Sequence, residues 1–368
     1  MPAQRKRILL AIGTRPEAIK MAPVVRALRE ASWAEARVLT TGQHRELVDD
    51  QLAFFEVTPD RALDAMRPGG GLAARTAALL EALDEALAAE RPDLVLAQGD
   101  TTTVLATALA CCYRRVPFGH VEAGLRTGDL DAPFPEEANR LLADRIAALY
   151  FAPTQQAKDN LQREGVTEQV FVTGNTVIDA LLWTRARLGL EGDPASGEKR
   201  RVLVTTHRRE NFGEGLSGIL RALRRMAARG DVELMLPVHP NPEVRDAVRR
   251  ELADVDAVQL TEPLDYPEMV RQLHRCDLVL TDSGGLQEEA PSLGKPLLVM
   301  RDVTERPEGV TAGTARLVGT DPDAITGAVE QLLDDPQAYA AMAAVRSPYG
   351  AGDAAEQIAA RCRAFLDA

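Results

Sequence analysis

Thr281-Asp282-Ser283-Gly284-Gly285-Leu286-Gln287-Glu288-Glu289 follows a short apolar run, Leu278-Val279-Leu280, and opens a segment that reads as helix as far as Ser292. The pattern is strand, glycine turn, helix. Glycines remove Cβ atoms where a ligand must come close, and a helix start offers unpaired N–H groups and a positive dipole end. Together these suit a phosphate or diphosphate. The same residues also read as a tight βα turn in which Ser283 caps the helix. Glycine-rich βα turns are common in doubly wound folds, so on this stretch alone the two readings stand level.

Working outward, short apolar runs alternate with longer helical patterns. Strands are expected at Ile8–Ile12, Arg37–Thr41, Leu94–Ala97, Pro117–Val121 and Leu149–Ala152, then at Val202–Thr205, Val232–Pro237, Val258–Thr261, Leu278–Thr281 and Leu297–Met300. The clearest helix is Leu72–Glu90, with Leu72, Leu79, Leu83 and Leu87 on one stripe. Strands alternating with helices imply parallel sheets covered on both faces. The fold class is α/β, two Rossmann-like doubly wound domains facing a cleft. The domains are expected at 1–173 and 174–350, with a final helix at 351–368 crossing back to the first. A ligand belongs at the strand C-termini of such domains.

Length and composition agree with this. The chain has 368 residues, more than one core usually serves, and it is 45% hydrophobic and 27% charged, as ordinary globular proteins are. A net charge of −12 argues against nucleic-acid or anionic-membrane partners, which need a cationic surface. Cys111, Cys112, Cys276 and Cys362 show no metal-ligand spacing or disulfide framework and read as small core residues of a reducing compartment. No apolar run reaches the roughly 18 residues of a membrane span. Arg5-Lys6-Arg7 before Ile8–Ile12 imitates a signal peptide, but the apolar run is short and Gly13-Thr14-Arg15-Pro16 breaks it. A cytoplasmic location is expected.

Polar residues gather just after the strands. Gly13-Thr14-Arg15-Pro16-Glu17 places Arg15 at a sheet mouth, with Lys20 about one turn further on, where the pair can face a phosphate. Asp100, in Gln98-Gly99-Asp100-Thr101, taken alone reads first as an N-cap and second as an acid or base. Glu122, between a strand end and Gly124, is an unusual place for a purely structural carboxylate. Glu136 starts a helix behind two prolines, which the dipole favours with or without a function. Three carboxylates on one wall repel, which raises a pKa and separates acid from base roles. His207 beside Arg208 and Arg209 suits an anion, and His239 and Arg306 follow other strands. There is no GxGxxG, GxxxxGK[ST] or GxSxG pattern, which disfavours nicotinamide enzymes, P-loop ATPases and serine hydrolases of that type.

These motifs, in this order, resemble the non-hydrolysing UDP-N-acetylglucosamine 2-epimerases over nearly the whole chain. The resemblance rests on Gly13–Glu17, Gly99–Thr101, His120–Thr127, Pro135–Glu137, His207–Glu210, Asp282–Glu289 and Thr304–Glu308. It implies a GT-B-like fold with the sugar nucleotide between the domains, and conversion of UDP-GlcNAc to UDP-ManNAc without a nicotinamide or metal cofactor. It also implies a homodimer and elimination of UDP to a 2-acetamidoglucal before re-addition. Asp100, Glu122 and Glu136 would serve proton transfer, and His207 would support the diphosphate. Arg15, Lys20, Ser283, Gly284, Gly285, Glu289 and Arg306 would bind the UDP portion, with Glu289 placed to accept hydrogen bonds from the ribose.

Many bacterial members also bind a second UDP-GlcNAc as activator, and Gln43, Arg208 and His239 match positions linked to that site. Glu46 stands where some members have Gln, and the loop Arg67-Pro68-Gly69-Gly70-Gly71 lacks the polar side chains some members have there, so weak or absent activation is expected. The rivals are a glycosyltransferase of the same fold, a hydrolysing epimerase, a relative acting on a modified UDP-sugar and a sugar-nucleotide-binding regulator. The regulator would not need Asp100, Glu122 and Glu136.

Overall fold

The first apolar run becomes β1, Lys6–Ile12, whose last five residues are buried. A parallel sheet covered on both faces accepts such an unbroken run, which is why no polar alternation appears in it. The computed structural model describes residues 5–42, 45–65, 71–192, 197–206, 213–344 and 347–368. It divides into two compact units, Met1–Ala180 with Tyr349–Ala368, and Leu181–Pro348.

The first unit continues with β2 (Ala34–Thr40), β3 (Arg61–Ala62), β4 (Leu94–Gln98), β5 (Phe118–Val121), β6 (Leu149–Ala152) and β7 (Val170–Val172). Their order across the sheet is β3-β2-β1-β4-β5-β6-β7, and all neighbours are parallel. The chain leaves β1 toward one edge and returns at β4 to build the other, so the switch point lies between β1 and β4, with Ile8 opposite Leu94. In a doubly wound sheet ligands gather outside the strand C-termini at such a point. Segments 13–20 and 99–103 leave β1 and β4 there, and 122–127 leaves the adjacent β5.

The second unit carries β8 (Arg200–Thr205), β9 (Val232–Pro237), β10 (Val258–Thr261), β11 (Leu278–Thr281), β12 (Leu297–Val299) and β13 (Ala315–Leu317). The order β10-β9-β8-β11-β12-β13 repeats the Rossmann pattern, with its switch between β8 and β11. The glycine turn quoted at the outset leaves β11 there.

Helix Leu72–Glu90 forms over the span expected, and Leu79, Leu83 and Leu87 are buried, but Leu72 is 42% exposed at its first turn. Cys111, Cys276 and Cys362 are buried, and burial pushes their thiols up, to about 12 for Cys276 and Cys362. Cys112 departs from the core reading. It is exposed, on the outer face of helix Thr102–Arg114.

The sequence reading puts the domain boundary near Gly174, and the contacts divide the chain at Ala180, inside helix Thr176–Arg187, and return Tyr349 and Gly350 to the first unit. Local geometry accounts for this. Asn175 donates its N–H to the Tyr349 carbonyl at 2.8 Å, and Ala355 donates its N–H to Asp179 at 2.8 Å. A Cβ on Gly174, whose φ is +83°, would lie 3.0 Å from Gly350 Cα. Helix Ala354–Leu366 packs on helix Arg15–Glu30 of the same unit. Among the described residues no helix is long and apolar enough to cross a membrane, and no cluster of His, Cys, Asp and Glu is arranged to hold a metal ion.

Candidate functional site

In the first unit the turn after β1 is set by a capping box. Thr14 is the N-cap of helix Arg15–Glu30, Pro16 lies in its first turn, and Glu17 reaches back to the N–H of Thr14. Glu17 does more than cap. It also accepts from the N–H of Gly13 and, at 2.6 Å, from the Thr101 hydroxyl, so it ties the β1 exit to the β4 exit. Burial outweighs these donors and raises its carboxyl to about 7. Arg15 is exposed at the first residue of the helix.

One turn on, Lys20 lies against Glu122, its Nζ 2.8 and 2.7 Å from the two carboxylate oxygens. Glu122 leaves β5 with φ +65°, a left-handed conformation that β-carbon-bearing residues seldom adopt. Gln98, at the end of β4, donates its amide to the same carboxylate, and Asn175 does so at 3.0 Å. The carboxylate is thus turned inward, 4% exposed, and gripped by a cation and two amides.

Asp100 does not cap a helix. Thr101 takes that position on helix Thr102–Arg114, and the Asp100 carboxylate turns to Arg140, 3.1 Å away. Asn139 donates to the Asp100 carbonyl at 2.8 Å. Burial raises the Asp100 carboxyl, with Glu122 and Glu136 adding to the rise and the Arg140 and Lys20 cations opposing it. Glu136 is the first residue of helix Glu136–Ile146 and is partly exposed. Its neighbour Glu137 is buried and accepts from the N–H groups of Thr127 and Gly128, fixing the loop after β5. The structure therefore places Lys20, Glu122 and Glu136 within electrostatic reach of Asp100.

In the second unit the turn after β11 is laced from both sides. Ser283 donates its N–H to the Thr281 hydroxyl at 2.9 Å, and the Thr206 hydroxyl donates to Asp282 at 3.2 Å. Helix Leu286–Ser292 takes Gly285, not Ser283, as its N-cap. Arg306 is 8% exposed and donates to Glu288 and, at 2.9 Å, to Glu305, which Arg301 also holds at 2.6 Å. A Cβ on Gly284 would come 2.8 Å from Arg306 Nη1 and 3.0 Å from Glu305 Oε1, so a side chain there would have to displace this ion pair. The buried Tyr266 hydroxyl donates to Glu289 at 2.9 Å. Burial and that carboxylate raise the phenol well above its ordinary range.

His239 accepts at Nδ1 from the N–H of Asn241 at 3.1 Å. Glu46 is exposed in the first turn of helix Arg45–Phe54. His207, Arg208 and Gln43 lie outside the described residues, as do 66–70 of the loop before helix Leu72–Glu90. The sequence reading passed over the side chains that hold the carboxylates, namely Gln98, Asn175 and Arg140. Only Arg140 carried a local signal, standing one helical turn after Glu136.

A family model for UDP-N-acetylglucosamine 2-epimerase matches residues 26–363. The UDP-N-acetylglucosamine 2-epimerase of Salmonella typhimurium is 50% identical over 365 residues, 96% of this chain and 97% of the relative. That of Escherichia coli K12 is 51% identical over 365 residues, with the same coverage. The crystal structure of UDP-GlcNAc 2-epimerase from Neisseria meningitidis bound to UDP-GlcNAc superposes with a TM-score of 0.91 at 42% identity, covering 98% of this chain and 100% of that one. The Methanocaldococcus jannaschii UDP-GlcNAc 2-epimerase in complex with UDP-GlcNAc and UDP gives 0.81 at 32% identity, covering 98% and 99%. A glycotransferase of kitacinnamycin, at a TM-score of 0.68 and 15% identity over 99% of this chain and 100% of that one, shares the fold alone, which is GT-B-like. By sequence over nearly its full length and by structure, this chain belongs to the UDP-N-acetylglucosamine 2-epimerase family.

Proposed function

We propose that this enzyme inverts C2 of UDP-GlcNAc to give UDP-ManNAc by eliminating UDP and adding it back. A base takes the C2 proton while the bond from C1 to the diphosphate oxygen breaks. This leaves a 2-acetamidoglucal with a C1–C2 double bond, and UDP. Protonation of C2 from the opposite face and re-attack of the diphosphate on C1 complete the inversion. Electrons and atoms balance without an oxidant, so no nicotinamide enters.

The observation that carries this reading is the grouping of Asp100, Glu122 and Glu136 at the β4 and β5 exits, with environments that differ. Asp100 sits where burial and neighbouring carboxylates raise its pKa, which favours a group that can hold and release a proton. Glu122 is clamped by Lys20, Gln98 and Asn175, which suits a fixed charge or a single defined proton transfer. Glu136, partly exposed on its helix, supplies the third proton-transfer group.

His207 would assist departure of the diphosphate. Ser283, Gly284, Gly285, Glu289 and Arg306 would hold the nucleotide, with Arg15 as a further cation. Relatives solved with UDP-GlcNAc and with UDP support this ligand class. We also take the chain to act as a homodimer, with Gln43, Arg208 and His239 as what remains of an activator site.

The test is incubation with UDP-GlcNAc in deuterated water, followed by NMR. UDP-ManNAc carrying deuterium at C2 is expected. Free ManNAc with UDP would instead indicate hydrolysis, and UDP release only on adding an acceptor would indicate glycosyl transfer. Absence of both C2 exchange and ManNAc configuration would sink the proposal.

A further inference from the structure

His120 stands in the middle of the first sheet, on β5, opposite Ala97 of β4 and Tyr150 of β6. It is wholly buried, and the Phe118 ring stacks near it at 5.9 Å between centroids. Both ring nitrogens are engaged. Nε2 lies 2.7 Å from the Gly99 carbonyl, and Nδ1 lies 2.6 Å from Asp144 Oδ1. A carbonyl oxygen can only accept, so Nε2 carries a proton. Asp144 accepts in its turn from the N–H of Gly124 at 3.2 Å and faces the Arg126 guanidinium at 2.8 Å. Arg126 is held on its other side by Glu164 at 2.7 and 2.8 Å.

The charges therefore alternate through the interior: His120, Asp144, Arg126, Glu164. Burial opposes charge on Asp144, yet the His120 and Arg126 cations hold its carboxyl below the usual range. Burial likewise opposes charge on His120, yet Asp144 and the Gly99 carbonyl raise it, against a smaller opposing effect from Arg126. Tyr150, the other titratable group beside the pair, turns its hydroxyl to the Ala147 carbonyl at 2.5 Å.

The groups fixed by this pair are the ones next to the carboxylates. Gly99, with φ +84°, directly precedes Asp100, and Gly124, with φ +87°, follows Glu122 by two residues. Asp144 belongs to helix Glu136–Ile146, which begins with Glu136. We propose that His120 is a positioning residue, a buried imidazolium that with Asp144 clamps the β4 exit, the β5 exit and helix Glu136–Ile146 into one geometry, so that Asp100 and Glu122 are held in place for proton transfer. This rests on the reading of those carboxylates as the proton-transfer groups.

The test has two arms. In the full-length enzyme, long-range proton–nitrogen NMR of labelled histidine reports the protonation of each ring nitrogen. The chain has five histidines, and the His120 signal is identified by its loss in His120→Gln. Protons on both His120 nitrogens from pH 6 to 8 are expected, and a ring with one bare nitrogen in that range overturns the proposal. In the second arm, His120→Gln and Asp144→Asn are expected to lower kcat by about 100-fold, as small misplacements of reacting groups do, while KM for UDP-GlcNAc stays within about threefold. A kcat near that of the parent, or a loss confined to KM, overturns it. If neither variant folds, the ring protonation of the parent decides, with the His120 signal assigned as the one that persists when each of the other four histidines is replaced in turn. A doubly protonated His120 in a chain that never exchanges C2 hydrogen would uphold the clamp and sink the epimerase reading.

Discussion

Lys20→Met removes the cation that faces Glu122. An exposed ion pair of this kind would contribute under about 1 kcal/mol. Here the side chains are 12% and 4% exposed, and Nζ reaches both carboxylate oxygens. Breaking a buried pair strands a charge and costs about 3–5 kcal/mol. The amides of Gln98 and Asn175 still donate to Glu122, which places the expected loss at the low end, about 3 kcal/mol. A unit of this size loses about 2–4 °C of Tm per kcal/mol, so the first unit should melt about 6–12 °C lower by scanning calorimetry. Adding Glu122→Gln removes the stranded charge, so the double variant should recover most of the loss while remaining inactive. A single variant melting within about 2 °C of the parent, or losses that simply add in the double variant, would refute the reasoning.

Asp100→Asn should cut turnover by about 100-fold or more, the usual cost of losing general acid–base help, and a near-native initial rate would remove Asp100 from the mechanism. Gly284→Ala drives a Cβ against Arg306 Nη1 and Glu305 Oε1. KM for UDP-GlcNAc should rise roughly tenfold, about 1.4 kcal/mol of binding, and an unchanged KM would mean the turn does not meet the nucleotide. Glu17 titrates near 7 in the fold against 4.5 unfolded, so the folded chain binds that proton more tightly. Its contribution is fully present below pH 4.5 and is lost as pH rises through 7, by up to about 3 kcal/mol. Urea midpoints across that window should fall, and Glu17→Gln should flatten the slope. Velocity against UDP-GlcNAc concentration should be hyperbolic, and a sigmoidal curve abolished by His239→Ala would overturn the expectation of weak activation.

Sequence alone located the edge on which the candidate residues stand. In a parallel sheet every strand ends on the same side, so a residue just past an apolar run is at that edge whatever the strand order. This is why Arg15, Asp100, Glu122 and the Ser283 turn were legible as candidates, and why Arg61–Ala62, two residues long, was not legible as a strand. The partner of each candidate was a different matter. Lys20 was read as facing a phosphate, and its ammonium also lies against Glu122, 102 residues away. That pairing requires β1 to lie beside β4 and β4 beside β5, and strand order is not written in the period of the apolar residues. Asp100 was read first as a cap because capping is a local rule. Its carboxylate turns instead to Arg140, while the Thr101 hydroxyl donates to Glu17. Tyr266 and Glu289, or His120 and Asp144, join positions 23 and 24 residues apart and leave no periodic trace. A charge at a strand end therefore looks free for a ligand until the neighbouring strands are known. The buried groups that set its charge and direction become visible only with the sheet assembled.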